Sequence, residues 1–253
     1  GRDVTGADLL LGTSAGAAVA AQVGSGLGLD ELYARQVDPA LQPAEIMAEL
    51  DLEKLAAEFG AAAAAASSLP ELRRAVGRMA LEARTVPEAE RRAVIASRLP
   101  SHTWPERALK VVAVDAGTGE ARVFTRDSGV PLIDAVAASC AVPGVWPPVT
   151  VDGRRYVDGG VRSVANADYA AGADRVVLLL PMGTTEPFPS ERPVERVVAE
   201  LRAAGAEVWV VEPDEASRTA IGDNALDPAT RRPAAEAGRA QGRDLTPPWG
   251  DQG

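Results

Sequence analysis

The residues Gly12-Thr13-Ser14-Ala15-Gly16 place one serine between an apolar run, Ala7-Asp8-Leu9-Leu10-Leu11, and a run of small residues from Ala17 to Ala21. Strand, sharp turn and helix with a serine at the apex is the layout of a nucleophile elbow. Strand and helix pack closely beside such a turn, so the positions two before and two after the serine have little room for a side chain. Gly12 and Gly16 meet that demand. A helix beginning at Ala15 also directs its N-terminal N–H groups and dipole at an oxyanion formed on Ser14. The chemistry indicated is acyl transfer. With 24 glycines in 253 residues the same match also arises by composition, and the strand before and helix after are what favour the functional reading.

A serine nucleophile needs a group that takes its proton, commonly a histidine steered by an acid. His102 is the only histidine, and it lies in Pro100-Ser101-His102-Thr103-Trp104-Pro105, where a loop histidine capping a turn is the expectation. No acid-then-histidine order follows it, so a conventional triad is not expected. A carboxylate acting directly on the serine is the other solution. Asp158 follows the run Arg155 to Val157 and precedes Gly159-Gly160, two residues that let the backbone turn sharply and approach another element closely. An ordinary Asp-Gly turn is the competing reading of that tripeptide.

The elements that must position these residues alternate between strand and helix, which points to an α/β layered fold with a largely parallel sheet. Asp8 to Leu11 reads as the first strand, and the helix from Ala15 follows it. Between Leu29 and Leu99 the pattern is helical: Ile46, Leu50, Leu55 and Phe59 share one face, and Leu69, Leu72, Val76, Met79 and Ala83 another. Pro43, Pro70 and Pro87 stand at expected helix starts. Leu109 to Val114 and Ala121 to Thr125 read as an antiparallel hairpin, and Val149 to Val151 and Arg155 to Val157 as a second one turning on Asp152-Gly153. Arg175 to Leu180, a helix near Val194 to Ala204 and Glu207 to Val211 form a βαβ unit. After Pro228 one helix and then a loose tail over 246–253 are expected.

A net charge of −10, with arginines interleaved among acids, argues against a nucleic-acid surface. Cys140 is the only cysteine, which excludes an intrachain disulfide or a Cys-rich metal site and fits a reducing, cytoplasmic location. No apolar stretch reaches the length of a spanning helix, and the acidic surface leaves any membrane contact local and apolar. Neither a metal nor a cofactor is implied.

Three pieces in order, Gly12-Thr13-Ser14-Ala15-Gly16, then Ala138-Ser139-Cys140-Ala141-Val142-Pro143 with Trp146-Pro147-Pro148, then Asp158-Gly159-Gly160 at a hairpin end, resemble a patatin-like phospholipase domain. The resemblance covers about Asp8 to Leu245. It implies a three-layer α/β/α fold with a mostly parallel central sheet, one domain over 1–245, and a helical cover at about 29–99 inserted after the nucleophile helix. It further implies Ser14 as nucleophile and Asp158 as general base of a Ser-Asp dyad, supported by Gly12, Ala15, Gly16, Gly159 and Gly160. The substrate would be a lipid carboxylic ester, a phospholipid or lysophospholipid, cleaved through an acyl-enzyme. Ala138 to Pro148 would pack the sheet near the serine, and Asn166 and Asp168 would either support Asp158 or cap a helix.

Domains of that family carry, upstream of the elbow, a strand and a Gly-rich loop whose N–H groups form the oxyanion hole. Nothing of that kind precedes Gly12, so the expectation is an N-terminally incomplete catalytic domain. Losing an oxyanion donor costs about 10²–10³ in kcat. The alternative is a non-catalytic binding or regulatory protein on the same fold. A phosphate-cradling turn at Gly12 to Gly16 lacks the lysine a P-loop requires, since Lys54 and Lys110 are the only lysines.

Overall fold

A computed structural model describes residues 3–43, 45–47, 52–184, 186 and 189–249. Strand β1 (Leu9–Thr13) passes through Ser14 directly into helix α1 (Ala15–Val23). Helices α2 (Leu29–Val37), α3 (Leu52–Ala65), α4 (Leu69–Glu82) and α5 (Glu88–Arg98) follow, as the helical pattern between 29 and 99 predicts. Ser68 caps α4 by accepting from the Glu71 N–H, Pro70 lies in that helix's first turn, and Pro87 immediately precedes α5.

The segment before α3 departs from expectation. Pro43 starts no described helix, Ile46 lies ahead of α3 rather than on its face, and Leu50 lies outside the described residues. Glu45 supplies the reason for Ile46. Its carboxylate pairs with Arg91 at 3.0 Å, with Arg98, and with Arg231 at 3.1 Å, and it also accepts from the Ile46 N–H at 3.1 Å. These bonds fix the backbone there in a non-helical path.

The remaining elements are β2 (Ala108–Asp115), β3 (Ala121–Phe124), α6 (Leu132–Ser139), β4 (Val149–Val151), β5 (Arg154–Asp158), β6 (Arg175–Leu179), α7 (Val194–Ala203), β7 (Glu207–Val211), α8 (Glu215–Ile221) and α9 (Arg231–Asp244). Parallel ladders join β1 to β2 and β6 to β7. Antiparallel pairing enters through the hairpin strands, β2 with β3 and β4 with β5, and through the seating of β5 on β2. The Asp152-Gly153 turn between β4 and β5 has φ of 50° and 74°, the left-handed pair that a two-residue hairpin requires. The described strands fall into two sheets, with β1 and β6 each paired on one side.

Helices cover both faces of the strands, giving the expected three-layer α/β/α arrangement. Alternate residues of β2, Leu109, Val111 and Ala113, are buried in a cluster with Ala17 and Ala21 of α1, Ile95 of α5 and Val136 of α6. On the other face Val114 meets Ala80 of α4, and Leu11 of β1 packs against the cluster that α7 builds over β6 and β7. The period-two alternation is what a strand buried on both faces needs. The expected loose tail is packed where it is described: Trp249 meets Trp209 of β7 edge to face at 6.1 Å, with the Arg175 guanidinium 5.7 Å from its ring. An apolar ring beside an exposed strand gains burial there. Residues 250–253 lie outside the described residues. Among the described residues no helix is long and apolar enough to cross a membrane.

Candidate active site

Strand β2 brings the two chemical residues together. Thr13 at the end of β1 pairs with Val112, and Asp158 at the end of β5 pairs with the next residue, Ala113. Strand β3 occupies the opposite edge over Val111 to Val114, so β1 and β5 lie in line along one edge of β2. Because β1 runs parallel to β2 and β5 antiparallel, their C-terminal ends meet. Ser14 follows one end and Asp158 forms the other.

Ser14 has φ 56° and ψ −128°, a conformation strained for any residue with a side chain. Gly12 is required by the turn: a Cβ there would lie 2.4 Å from Ala17 Cα and 2.6 Å from Gly16 O. Gly16, expected to be equally crowded, is not, since a Cβ at that position would meet nothing within 4 Å. It lies on the exposed side of the first turn of α1, with its carbonyl rather than its Cα turned to Gly12. Ala15 is also exposed. The Ala17 N–H donates to Ser14 O at 2.9 Å, while the N–H groups of Ala15 and Gly16 have no helical carbonyl one turn back and stand at the positive end of the helix dipole.

Asp158 is 5 % exposed, and burial pushes its carboxyl up to about 6 against a drop caused by the Ser14 hydroxyl and the Gly160 N–H. The Gly160 N–H donates to Oδ1 at 2.8 Å, whereas Oδ2 makes no hydrogen bond of ordinary length and angle. The contact with the Ser14 hydroxyl is therefore loose. Gly159 permits the approach to β2, because a Cβ there would stand 2.4 Å from Val112 O.

Of the other residues considered, Asn166 is fully buried and its amide donates to Thr13 Oγ1, Gly159 O and Ser163 O. It supports the site by joining its two halves. Asp168 instead pairs with Arg162 at 2.7 Å. His102 is exposed and bonds to the Ala96 carbonyl at 3.0 Å, which leaves it in a turn. Lys110 donates to Tyr169 O rather than to the glycine turn. Among the described residues no group of His, Cys, Asp and Glu is arranged to hold a metal ion.

Sequence reasoning assigned Ala138 to Pro148 to packing and missed its hydrogen bonds. Ser139 Oγ accepts from the Ser14 N–H at 2.9 Å, and the Cys140 thiol donates to Ser14 O at 3.0 Å. Burial, then the charge of Asp158, push that thiol up to about 12, so it stays protonated. The only available signal was a polar hydroxyl at the end of a helix that, after Asp134 in its first turn, is built of Ala and Val.

A cavity of about 30 Å³ adjoins the Asp158 turn, walled by Phe59, Leu72 and Val76 of the cover and by Gly160, Val161 and Pro189. Ile46 and Leu55, read from the sequence as sharing a face with Phe59, do not line it. Leu55 packs with Phe59 and points toward Gly144, where a Cβ would lie 2.7 Å from its Cδ1.

Comparison with known families gives a match to the patatin-like phospholipase model over residues 2–171, which takes in β1, the elbow, the helical cover, β2 and the Asp158 turn. That span is most of the chain and includes both candidate residues. The chain belongs to the patatin-like phospholipase family.

Proposed function

We propose that the protein is a serine acyl hydrolase that cleaves a carboxylic ester of a lipid, a phospholipid or lysophospholipid, through a Ser14–Asp158 dyad. The observation that carries the reading is the meeting of β1 and β5 on adjacent residues of β2, which sets a strained serine beside a buried carboxylate held near a pKa of about 6. Family membership carries lipid acyl hydrolysis as the activity of the class.

In the first half-reaction Ser14 Oγ bonds to the ester carbonyl carbon while its proton passes to Asp158. The resulting oxyanion is stabilised by the N–H groups and dipole at the start of α1. Ser14 does not contribute its own N–H, which is committed to Ser139. Collapse breaks the bond to the alcohol oxygen, which takes the proton back from Asp158, and leaves acyl-Ser14. Water then attacks with Asp158 again accepting the proton, and the fatty acid leaves with Ser14 restored. A base with a pKa near 6 is a better proton acceptor than an ordinary carboxylate and is still ionised at neutral pH. The apolar wall of Phe59, Leu72 and Val76 in the cavity beside Val161 is the proposed seat of the acyl chain, and a chain of several carbons requires the Phe59 wall to give way.

The test is hydrolysis of p-nitrophenyl butyrate and octanoate by the full-length protein beside Ser14→Ala and Asp158→Asn. Loss of activity in both variants supports the dyad. Equal, background-level rates in all three would move the assignment to a non-catalytic binding protein on this fold.

A further inference from the structure

We propose that Ser139-Cys140-Ala141, at the C-terminal end of α6, is the element that positions Ser14 and Asp158, and that Ser139 is the residue on which the elbow's geometry depends. This rests on the reading of Ser14 as nucleophile. Three consecutive residues each hold one backbone group of the pair. Ser139 Oγ takes the Ser14 N–H at 2.9 Å, Cys140 Sγ donates to Ser14 O at 3.0 Å, and Ala141 O accepts the Asp158 N–H at 2.9 Å.

The direction of the Ser139 contacts is determined by its single proton. Its hydroxyl donates to Val112 O at 2.7 Å, so a lone pair must face the Ser14 N–H. Val112 is the register partner of Thr13 and lies against Gly159, so the serine is tied to the same point of β2 where β1 and β5 meet. Packing does not require a hydroxyl here. Ser139 is 0 % exposed among Ala135, Val136 and Ala138, where alanine would fill the space, and a hydroxyl taken that far from water is retained only for the bonds it makes.

None of the three residues is placed to touch substrate, so each is a positioning residue. Ser14 is held at φ 56° against its own preference, and a strained conformation persists only while its surroundings over-determine it. Without an acceptor for its N–H, Ser14 is held only through its carbonyl, by Cys140 Sγ and the Ala17 N–H, and its backbone relaxes, swinging Oγ away from Asp158. The Gly160 N–H still holds the Asp158 carboxylate, but the Ser14 hydroxyl that lowers its pKa is drawn away.

The experiment compares wild type, Ser139→Ala and Ser139→Cys, with Ser217→Ala as a control that removes another buried serine hydrogen bond, to Gln241 on α9, remote in the chain from the elbow. Each protein is assayed for p-nitrophenyl butyrate hydrolysis, for the rate of covalent labelling by a fluorophosphonate probe, and for hydrogen exchange of the peptide spanning 10–18. Ser139→Ala is expected to lower kcat and the labelling rate by about 10–100-fold with KM held within about twofold. The pH midpoint of kcat is expected to move upward as the Ser14 hydroxyl leaves Asp158, Ser139→Cys to recover part of the rate, and exchange to rise at the elbow while Ser217→Ala leaves rate and elbow exchange alone. Equal labelling rates and equal elbow exchange in wild type and Ser139→Ala would overturn the positioning role. A wild type that neither turns over nor labels, yet loses elbow protection in Ser139→Ala, would sink the hydrolase reading while supporting the clamp. A rate loss in Ser217→Ala as large as that in Ser139→Ala would reduce the effect to stability and overturn it as well.

Discussion

The side-chain amide of Asn166 donates to Thr13 Oγ1 at 3.1 Å, tying the residue before Ser14 to the turn that follows Asp158. The same nitrogen reaches Gly159 O at 3.1 Å and Ser163 O at 2.8 Å, and Oδ1 accepts from Arg162 at 2.8 Å. Asn166 adopts φ 49°, a left-handed conformation that asparagine tolerates better than most residues. Removing the amide strands buried carbonyls, at about 1–3 kcal/mol for each group left without a partner. Asn166→Ala is therefore expected to lose about 2–4 kcal/mol in urea unfolding and to lose ester hydrolysis with it. Asn166→Asp should be worse at neutral pH, since a carboxylate would face the Gly159 and Ser163 carbonyls. Near-wild-type stability in Asn166→Ala would show that the two halves of the site are joined some other way.

In the proposed dyad Asp158 links activity and stability to pH in opposite directions. Its folded pKa is about 6 against an unfolded value of 3.8, with burial the leading cause. Between those values the folded state holds more protons than the unfolded one, so stability falls as pH rises through that window. A base that must be ionised gives the reverse for catalysis, with kcat/KM rising through a midpoint near pH 6. Asp158→Asn is expected to abolish turnover while raising Tm at pH 7, because the buried negative charge is gone and the Gly160 N–H keeps an acceptor. A lower Tm for Asp158→Asn at pH 7 would contradict the burial penalty.

The parts of this arrangement legible in the sequence are those written in local patterns. Asp152-Gly153 announced its hairpin because both residues need positive φ, and Gly12 and Gly159 announced close approaches because a Cβ at either would strike backbone. Gly16 looked equivalent to Gly12, yet a Cβ is excluded only at Gly12. The Ser139 and Asn166 contacts span 125 and 153 residues, and no local periodicity encodes a partner at that distance. Gly77 in α4 was invisible for the same reason: a Cβ there would lie 2.0 Å from Ala116 O, so the helix can cross that turn only on a glycine. The two-sheet division likewise depends on which strand edges find partners, which strand-by-strand reading does not address.

Phe59 closes the cavity beside the Asp158 turn and is 8 % exposed within the cluster of α3 and α4. Trimming it to leucine opens the wall while keeping an apolar side chain, at a cost of about 1 kcal/mol. Phe59→Leu is expected to shift the preference among p-nitrophenyl esters toward longer acyl chains, read as the ratio of kcat/KM for octanoate to that for butyrate. An unchanged ratio would place the acyl chain elsewhere.

The two glycines of the pentapeptide separate under the same substitution. A methyl at position 12 would sit 2.4 Å from Ala17 Cα and 2.6 Å from Gly16 O, both backbone atoms that no rotamer change can move. Gly12→Ala must then open the turn between β1 and α1, at about 3 kcal/mol or more, and take Ser14 out of its elbow conformation. A methyl at position 16 meets nothing within 4 Å, so the helical preference of alanine over glycine operates alone. Gly16→Ala is expected to leave stability unchanged or raise it by up to about 1 kcal/mol. Thermal unfolding of the two variants beside wild type reads the difference directly. Equal destabilisation of the two variants would contradict the open space around Gly16.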